Sequence, residues 1–165
     1  MELARFWRHA SMSPQKARRH FPPATLDAVE RENAAQEKRH GGEICFVVEA
    51  ELTTGQLWRE LSSRDRAREV FAQRGVWNTE HNNGVLIYVL LADRRVEVVA
   101  DRGIDARVPA EEWQRICRAM EEQFRGGRFE AGAVEGVRAV AELLARHYPA
   151  AGEGRNELPD RPVVI

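Results

Sequence analysis

The chain predicts an α/β fold: a three-layer α/β/α sandwich around a small mixed β-sheet. Three observations carry that expectation. Residues 85–91, Val-Leu-Ile-Tyr-Val-Leu-Leu, are apolar without a break. Their length and their Val, Ile and Tyr content suit a strand, and a strand with no polar alternation needs cover on both faces. Upstream, residues 44–48 form a second apolar run, and the stretch between the two has helical periodicity, which makes a parallel β-α-β crossover. Downstream, only Ala92-Asp93-Arg94-Arg95 separates the central run from a strand over residues 96–100. So short a connection makes an antiparallel hairpin, and the sheet is therefore mixed.

The 165 residues suit one domain with a real core. Hydrophobic residues make up 43% and charged residues 31%, the balance of a globular protein. A net charge of −1 gives no signal for polyanions, so nucleic acid is not an expected partner. Cys45 and Cys117 both lie in apolar segments and read as buried structural thiols, with no Cys-x-x-Cys metal spacing. No apolar run approaches the ~20 residues that span a bilayer, and the first residues lack the apolar core of a signal peptide. These features predict a cytoplasmic protein with no transmembrane segment.

From the N-terminus, residues 1–22 read as a basic helical arm. Leu3, Phe6 and Trp7 share one helical face, which predicts docking on the domain through that aromatic face; the alternative is an arm that contacts a partner or a membrane surface. Pro22-Pro23 breaks the chain and residues 24–40 form a helix that Gly41-Gly42 stops. After the strand at 44–48, Glu49 and Glu51 lie at its exit. Thr53-Thr54-Gly55 turns into a short helix, and Ser62 or Ser63 caps the next, whose apolar positions Ala67, Val70 and Phe71 run to Gly75. Trp77 reads as a packing anchor. Asn82-Asn83-Gly84 is a turn signal in front of the central strand. Val108-Pro109-Ala110-Glu111-Glu112 opens a helix with the apolar stripe Trp113, Ile116, Cys117, Met120 and Phe124. The last helix covers about residues 129–147 and Pro149 ends it. The domain thus spans 23–149, and 150–165 is an extended tail whose Val163-Val164-Ile165 is suited to dock as a strand.

This topology gathers three loops at one sheet edge: Gly41-Gly42-Glu43, His81-Asn82-Asn83-Gly84, and Asp101-Arg102-Gly103-Ile104-Asp105. The candidate binding edge is therefore Glu43, His81, Asn82, Asn83, Asp101, Arg102 and Asp105. Asp101 and Asp105, with amide and backbone oxygens, are the hard ligands that Ca²⁺ or Mg²⁺ takes, and Arg102 suits a bidentate phosphate. The competing reading is turn chemistry, because Asn, Asp and Gly dominate turns for backbone reasons alone. The opposite edge collects Glu49, Glu51, Asp93 and Arg94.

Asn82-Asn83-Gly84-Val85-Leu86-Ile87 resembles the Asn-Asn-Gly-Val-Leu-Leu signature of the TPM domain, named for thylakoid-lumen photosystem II repair proteins and the modulator of the levamisole receptor. Asp93-Arg94 with Val96-Glu97-Val98 resembles that family's hairpin, and Arg102-Gly103-Ile104-Asp105 its Tyr-Gly-Leu-Glu loop. Phe124-Arg125-Gly126-Gly127-Arg128-Phe129-Glu130-Ala131-Gly132 is similar to the junction between its final helices. The resemblance covers about residues 24–148 and implies an α/β/α sandwich. It also implies candidate activities: acid phosphatase in some plant members, divalent-cation binding through acidic loops, or an accessory role beside membrane complexes. Two positions depart from the pattern. Pro109-Ala110 stands where many members have Thr-Asp, and Asp101 replaces the first glycine of the Gly-Tyr-Gly loop. With no signal or membrane span, the chain resembles a bacterial cytoplasmic branch. The expectation is a non-catalytic interaction or accessory domain that acts through a protein partner, including one at a membrane, and holds a divalent cation; the alternative is a metal-dependent phosphomonoesterase.

Overall fold

The computed structural model describes residues 2–152 and 155–165. Short helices α1 (Leu3–Ser11) and α2 (Pro14–His20) precede α3 (Pro23–Glu37). Strand β1 (Glu43–Glu49) follows, then α4 (Thr54–Trp58), α5 (Ser63–Gln73) and β2 (Gly84–Leu90). The hairpin strand β3 (Arg95–Ala100) leads into the single turn α6 (Arg102–Asp105) and the long helices α7 (Ala110–Arg125) and α8 (Phe129–His147). A two-residue strand, β4 (Val163–Val164), completes the sheet. The strand order is β3-β2-β1-β4, with β2 and β4 parallel to β1 and β3 antiparallel to β2.

Side-chain alternation divides the core in two. Ile44, Phe46, Val48, Val85, Ile87 and Val89 face α3, α7 and α8. Cys45, Val47, Leu86, Tyr88 and Leu90 face the thinner layer of α4 and α5. All seven residues of β1 and of β2 are buried, as strands covered on both sides must be. Trp113, Ile116, Val137 and Leu144 are buried on the thick side, as their helical spacing predicts. Ser62 caps α5 by accepting the Asp65 N–H at 3.0 Å. Pro109 stands one position before α7 rather than inside it, and Glu111 and Glu112 occupy the first turn.

The two cysteines are free and lie on opposite faces of the sheet, which keeps them apart. Burial pushes the Cys45 thiol up to about 11, so it is held as the neutral, unreactive form.

Helix α1 docks on the thin layer, but through only one residue of the face that spacing selects. Phe6 packs on the Leu57 side of the core, whereas Leu3 and Trp7 are 67% and 62% exposed. Polar contacts hold the helix instead. His9 is 1% exposed; its Nδ1 accepts the Leu52 N–H at 2.9 Å and its Nε2–H donates to Asp93 at 3.0 Å. Arg5 forks onto Asp93 at 2.7 and 3.0 Å and also reaches the Leu61 carbonyl. Burial opposes ionisation of Asp93, but the hydrogen bonds from His9 and Arg5 outweigh it and hold the carboxyl well below the usual range.

The tail is extended, as expected, and docked. The Ile165 N–H donates to Val48 O at 2.8 Å and the Ile165 carbonyl accepts the Ala50 N–H at 3.0 Å, continuing the β1–β4 ladder. Trp77 corrects another expectation: it is 54% exposed, its indole N–H held by the Ala72 carbonyl, and it anchors nothing in the core.

Candidate functional site

Because β1 and β2 run parallel in register Glu43 opposite Gly84, their entry loops must meet. The antiparallel β3 ends beside the same place, with Ala100 opposite Val85. Backbone bonds tie the loops together. Asn83 Nδ2 donates to Gly41 O at 3.0 Å, Asp101 N–H to Gly84 O at 2.8 Å, and Gly103 N–H to Asn82 O at 2.9 Å. Asn82 adopts φ 51°, a conformation Asn tolerates better than most residues. Gly103 is needed for the close approach, since a Cβ there would lie 2.5 Å from Asn82 O and 2.7 Å from His81 O.

The side chains are less concentrated than the loops. Asn83 is buried and consumed by the Gly41 carbonyl. Asp101 Oδ1 accepts the Arg102 N–H at 2.8 Å, which starts α6, while its Oδ2 is buried with no partner. His81 and Arg102 are exposed at the rim. Asp105 points elsewhere, into a groove it shares with Arg64, Trp113 and Cys117. Among the described residues no group of three or more His, Cys, Asp or Glu side chains is arranged to hold a metal ion.

Glu43 is committed to the tail. Its carboxylate accepts the Glu157 N–H at 3.0 Å and the Leu158 N–H at 3.3 Å, in a buried position. Burial pushes it up to about 6 despite those bonds. Nearby Glu37 is pushed up to about 8, by burial first and then by sharing a hydrogen bond with Asp160. Asn33 Nδ2 on α3 donates to the Asp160 carbonyl at 3.4 Å, which holds that residue against the helix. Asn33 also donates to Ile44 O at 2.9 Å, and Arg161 bridges Asp27 and Glu30. The segment Leu158-Pro159-Asp160-Arg161-Pro162 is thus engaged within the chain.

Two further polar groups escape sequence reading. His40 is buried, its Nδ1–H given to Gly42 O at 3.1 Å and its Nε2 left without a partner. Burial holds its pKa below the usual histidine value. At the opposite edge, Glu49 receives Arg66 through two nitrogens at 2.8 and 2.9 Å and the Tyr88 hydroxyl at 2.5 Å. Burial and the Glu49 charge push the Tyr88 phenol far up, so it stays a neutral donor. This triad is satisfied internally, and a glutamate at a strand exit is its sole sequence sign. Asp93 completes that edge through the α1 latch.

Comparison with known proteins agrees with this architecture. A family model described as the TPM domain matches residues 17–143. The NMR structure of BA42 from the psychrophilic bacterium Bizionia argentinensis is similar, with a TM-score of 0.72 and 29% identity over 86% of this chain and 93% of that one. The solution NMR structure of the N-terminal domain of a P. gingivalis protein aligns with a TM-score of 0.60 and 26% identity, covering 76% of this chain and 79% of that one. No curated protein matches. With the matched segment running from α2 through most of α8 and the sheet order intact, the chain belongs to the TPM domain family.

Proposed function

We propose that the chain is a non-catalytic interaction domain of TPM type, and that its recognition surface is the thin layer of the sandwich. One observation carries this reading: Leu3, Trp7, Trp58 and Trp77, the exposed large hydrophobic residues, all lie on α1, at the end of α4 or just after α5. The opposite layer of α3, α7 and α8 has none among the described residues. Tryptophans left in water on one side of a domain are what a protein interface uses as anchors. The helices are too short or too polar to cross a bilayer, so contact with a membrane complex would run through its protein parts. The test is affinity capture with wild type and with a Trp7→Ser/Trp58→Ser variant whose melting temperature is unchanged. A partner retained by wild type and lost by the variant supports the reading. Metal-stimulated phosphomonoester hydrolysis that Asp101→Asn and Arg102→Ala abolish overturns it in favour of a phosphatase.

A second reading rests on the orphaned Asp101 Oδ2 beside the Asn82 and Asn83 loop. A buried carboxylate oxygen without a partner is costly unless a cation or water meets it, and Ca²⁺ or Mg²⁺ is the hard ion that carboxylate and amide oxygens suit. Bound cation would stabilise the fold by mass action. Millimolar Ca²⁺ or Mg²⁺ is expected to raise the melting temperature of wild type over that in EDTA, and to leave Asp101→Asn unmoved. Identical melting in EDTA and in either ion removes this reading.

A further inference from the structure

At the hairpin end of the sheet, away from the loop cluster, a cleft of about 410 Å³ lies between α2, the β2–β3 turn and the α7–α8 corner. That volume falls within the range of small-molecule sites. Its floor is apolar: Met12, Val89, Leu91, Phe124 and Phe129. Phe124 and Phe129 stack at 5.3 Å, and His20 lies flat on Phe129 at 4.4 Å, so one wall is a continuous aromatic surface. The rim is cationic. Arg94, Arg95 and Arg125 line it, and none of the three guanidinium groups has a hydrogen bond or ion pair among the described residues.

The lining holds one carboxylate against three arginines. Glu121, the carboxylate in the lining, accepts the Val96 N–H at 3.0 Å. The last carbonyls of α7 accept the N–H groups of Gly126, Gly127 and Arg128. Past His20 and Phe129 the cleft opens into a shallower groove bordered by Arg19 and Arg128. Two arginines and one carboxylate, Glu130, line that extension, so positive charge is in excess along the opening in a chain whose net charge is −1. Arg5, Arg66, Arg138 and Arg161, by contrast, are held by Asp93, Glu49, Glu32 and Asp27.

We propose that this cleft binds a small organic anion, a carboxylate or phosphate carried on an aromatic or medium-length alkyl body. The apolar body covers the Phe124–Phe129 wall beside the end of β2. The head group meets Arg94 and Arg95, whose planar forks match two oxygens at once. Removing water from the apolar wall lowers the local dielectric and strengthens that contact. The cleft offers no nucleophile beside the head group, so this is a binding site and not a second reaction centre.

Fluorescence titration with 8-anilinonaphthalene-1-sulfonate, an aromatic organic anion, tests the proposal. Wild type should bind the probe saturably at one site, and decanoate or phenyl phosphate should displace it far better than inorganic phosphate. Arg94→Glu/Arg95→Glu should weaken binding by at least about tenfold. Arg31→Glu, an exposed α3 arginine outside the cleft, should leave binding unchanged, and equal melting temperatures confirm that all variants fold. Four results overturn the proposal: no saturation, equal binding by the double variant, equal displacement by inorganic phosphate, or binding to anionic lipid vesicles with none to the free anions. The last would make this face a membrane-docking surface instead.

Discussion

Replacing Asp93 with alanine is expected to cost about 3–5 kcal/mol, the loss typical when one member of a buried charge pair is removed. Asp93 is 9% exposed and takes hydrogen bonds from both Arg5 and His9. Without it, Arg5 and the buried His9 lose their acceptor while Leu52 still points its N–H at His9. Helix α1 has a cheaper escape than global unfolding, which is to detach, and that caps the cost at its docking energy. The change should therefore appear first as trypsin cleavage after Arg5 and Arg8 under native conditions. The acid limb carries a second signature. The folded carboxyl lies below its ordinary value of 3.8, so the unfolded chain binds the extra proton. The contribution is present above that value and fades as pH falls below it. Asp93→Ala should flatten this part of the stability curve. Unaltered melting at neutral pH together with full protection of α1 from trypsin would sink the latch.

Gly84→Ala is expected to be the most damaging single methyl in the sheet, with a loss of about 3 kcal/mol, the upper end of overpacking. An added Cβ would stand 2.1 Å from the Val76 carbonyl oxygen, a backbone atom that no rotamer change moves away. Relief requires β2 to shift at its first residue, where it is paired with Glu43 and where Asp101 donates to its carbonyl. The whole entry-loop cluster shifts with it. Gly55→Ala is the internal control: nothing lies within 4 Å, and alanine in α4 should be neutral or gain up to about 1 kcal/mol. Chemical denaturation of the two variants beside wild type decides the matter, and equal midpoints for both would refute the close approach.

What the sequence makes legible follows from the range of the forces involved. The sheet is readable because an uninterrupted apolar run such as Val85 to Leu91 has one stable solution, cover on both faces, and because four residues suffice only for a hairpin. The meeting of the loops at Gly41, Asn83 and Gly103 follows from strand direction alone. Side-chain fate at that edge does not. Whether Asp101 ligates or caps depends on the phase of α6, and Asp105, on the far side of the same turn, faces the groove beside Trp113. Helix α1 misleads for a related reason. Of its periodic face, Leu3, Phe6 and Trp7, only Phe6 packs on the domain, since docking is decided largely by His9 and by an aspartate 84 positions away. No local pattern records such a pair. Glu43 likewise looks like an open carboxylate until residues 157 and 158 are seen to close over it.

Strand β4 holds only Val163 and Val164, yet it is all that covers the outer margin of β1. Its pairing partner, Val47, is synthesised long before it. The β1–β2–β3 unit, a crossover followed by a hairpin, has contacts of shorter range and should assemble first, because closing the larger loop is the slower event. In the interval β1 presents a bare hydrogen-bonding margin between two glutamates, Glu43 and Glu49, and that is where a second nascent chain would add itself. Two valines therefore act as a built-in guard against misassembly, and the yield of native protein should depend on how promptly they close.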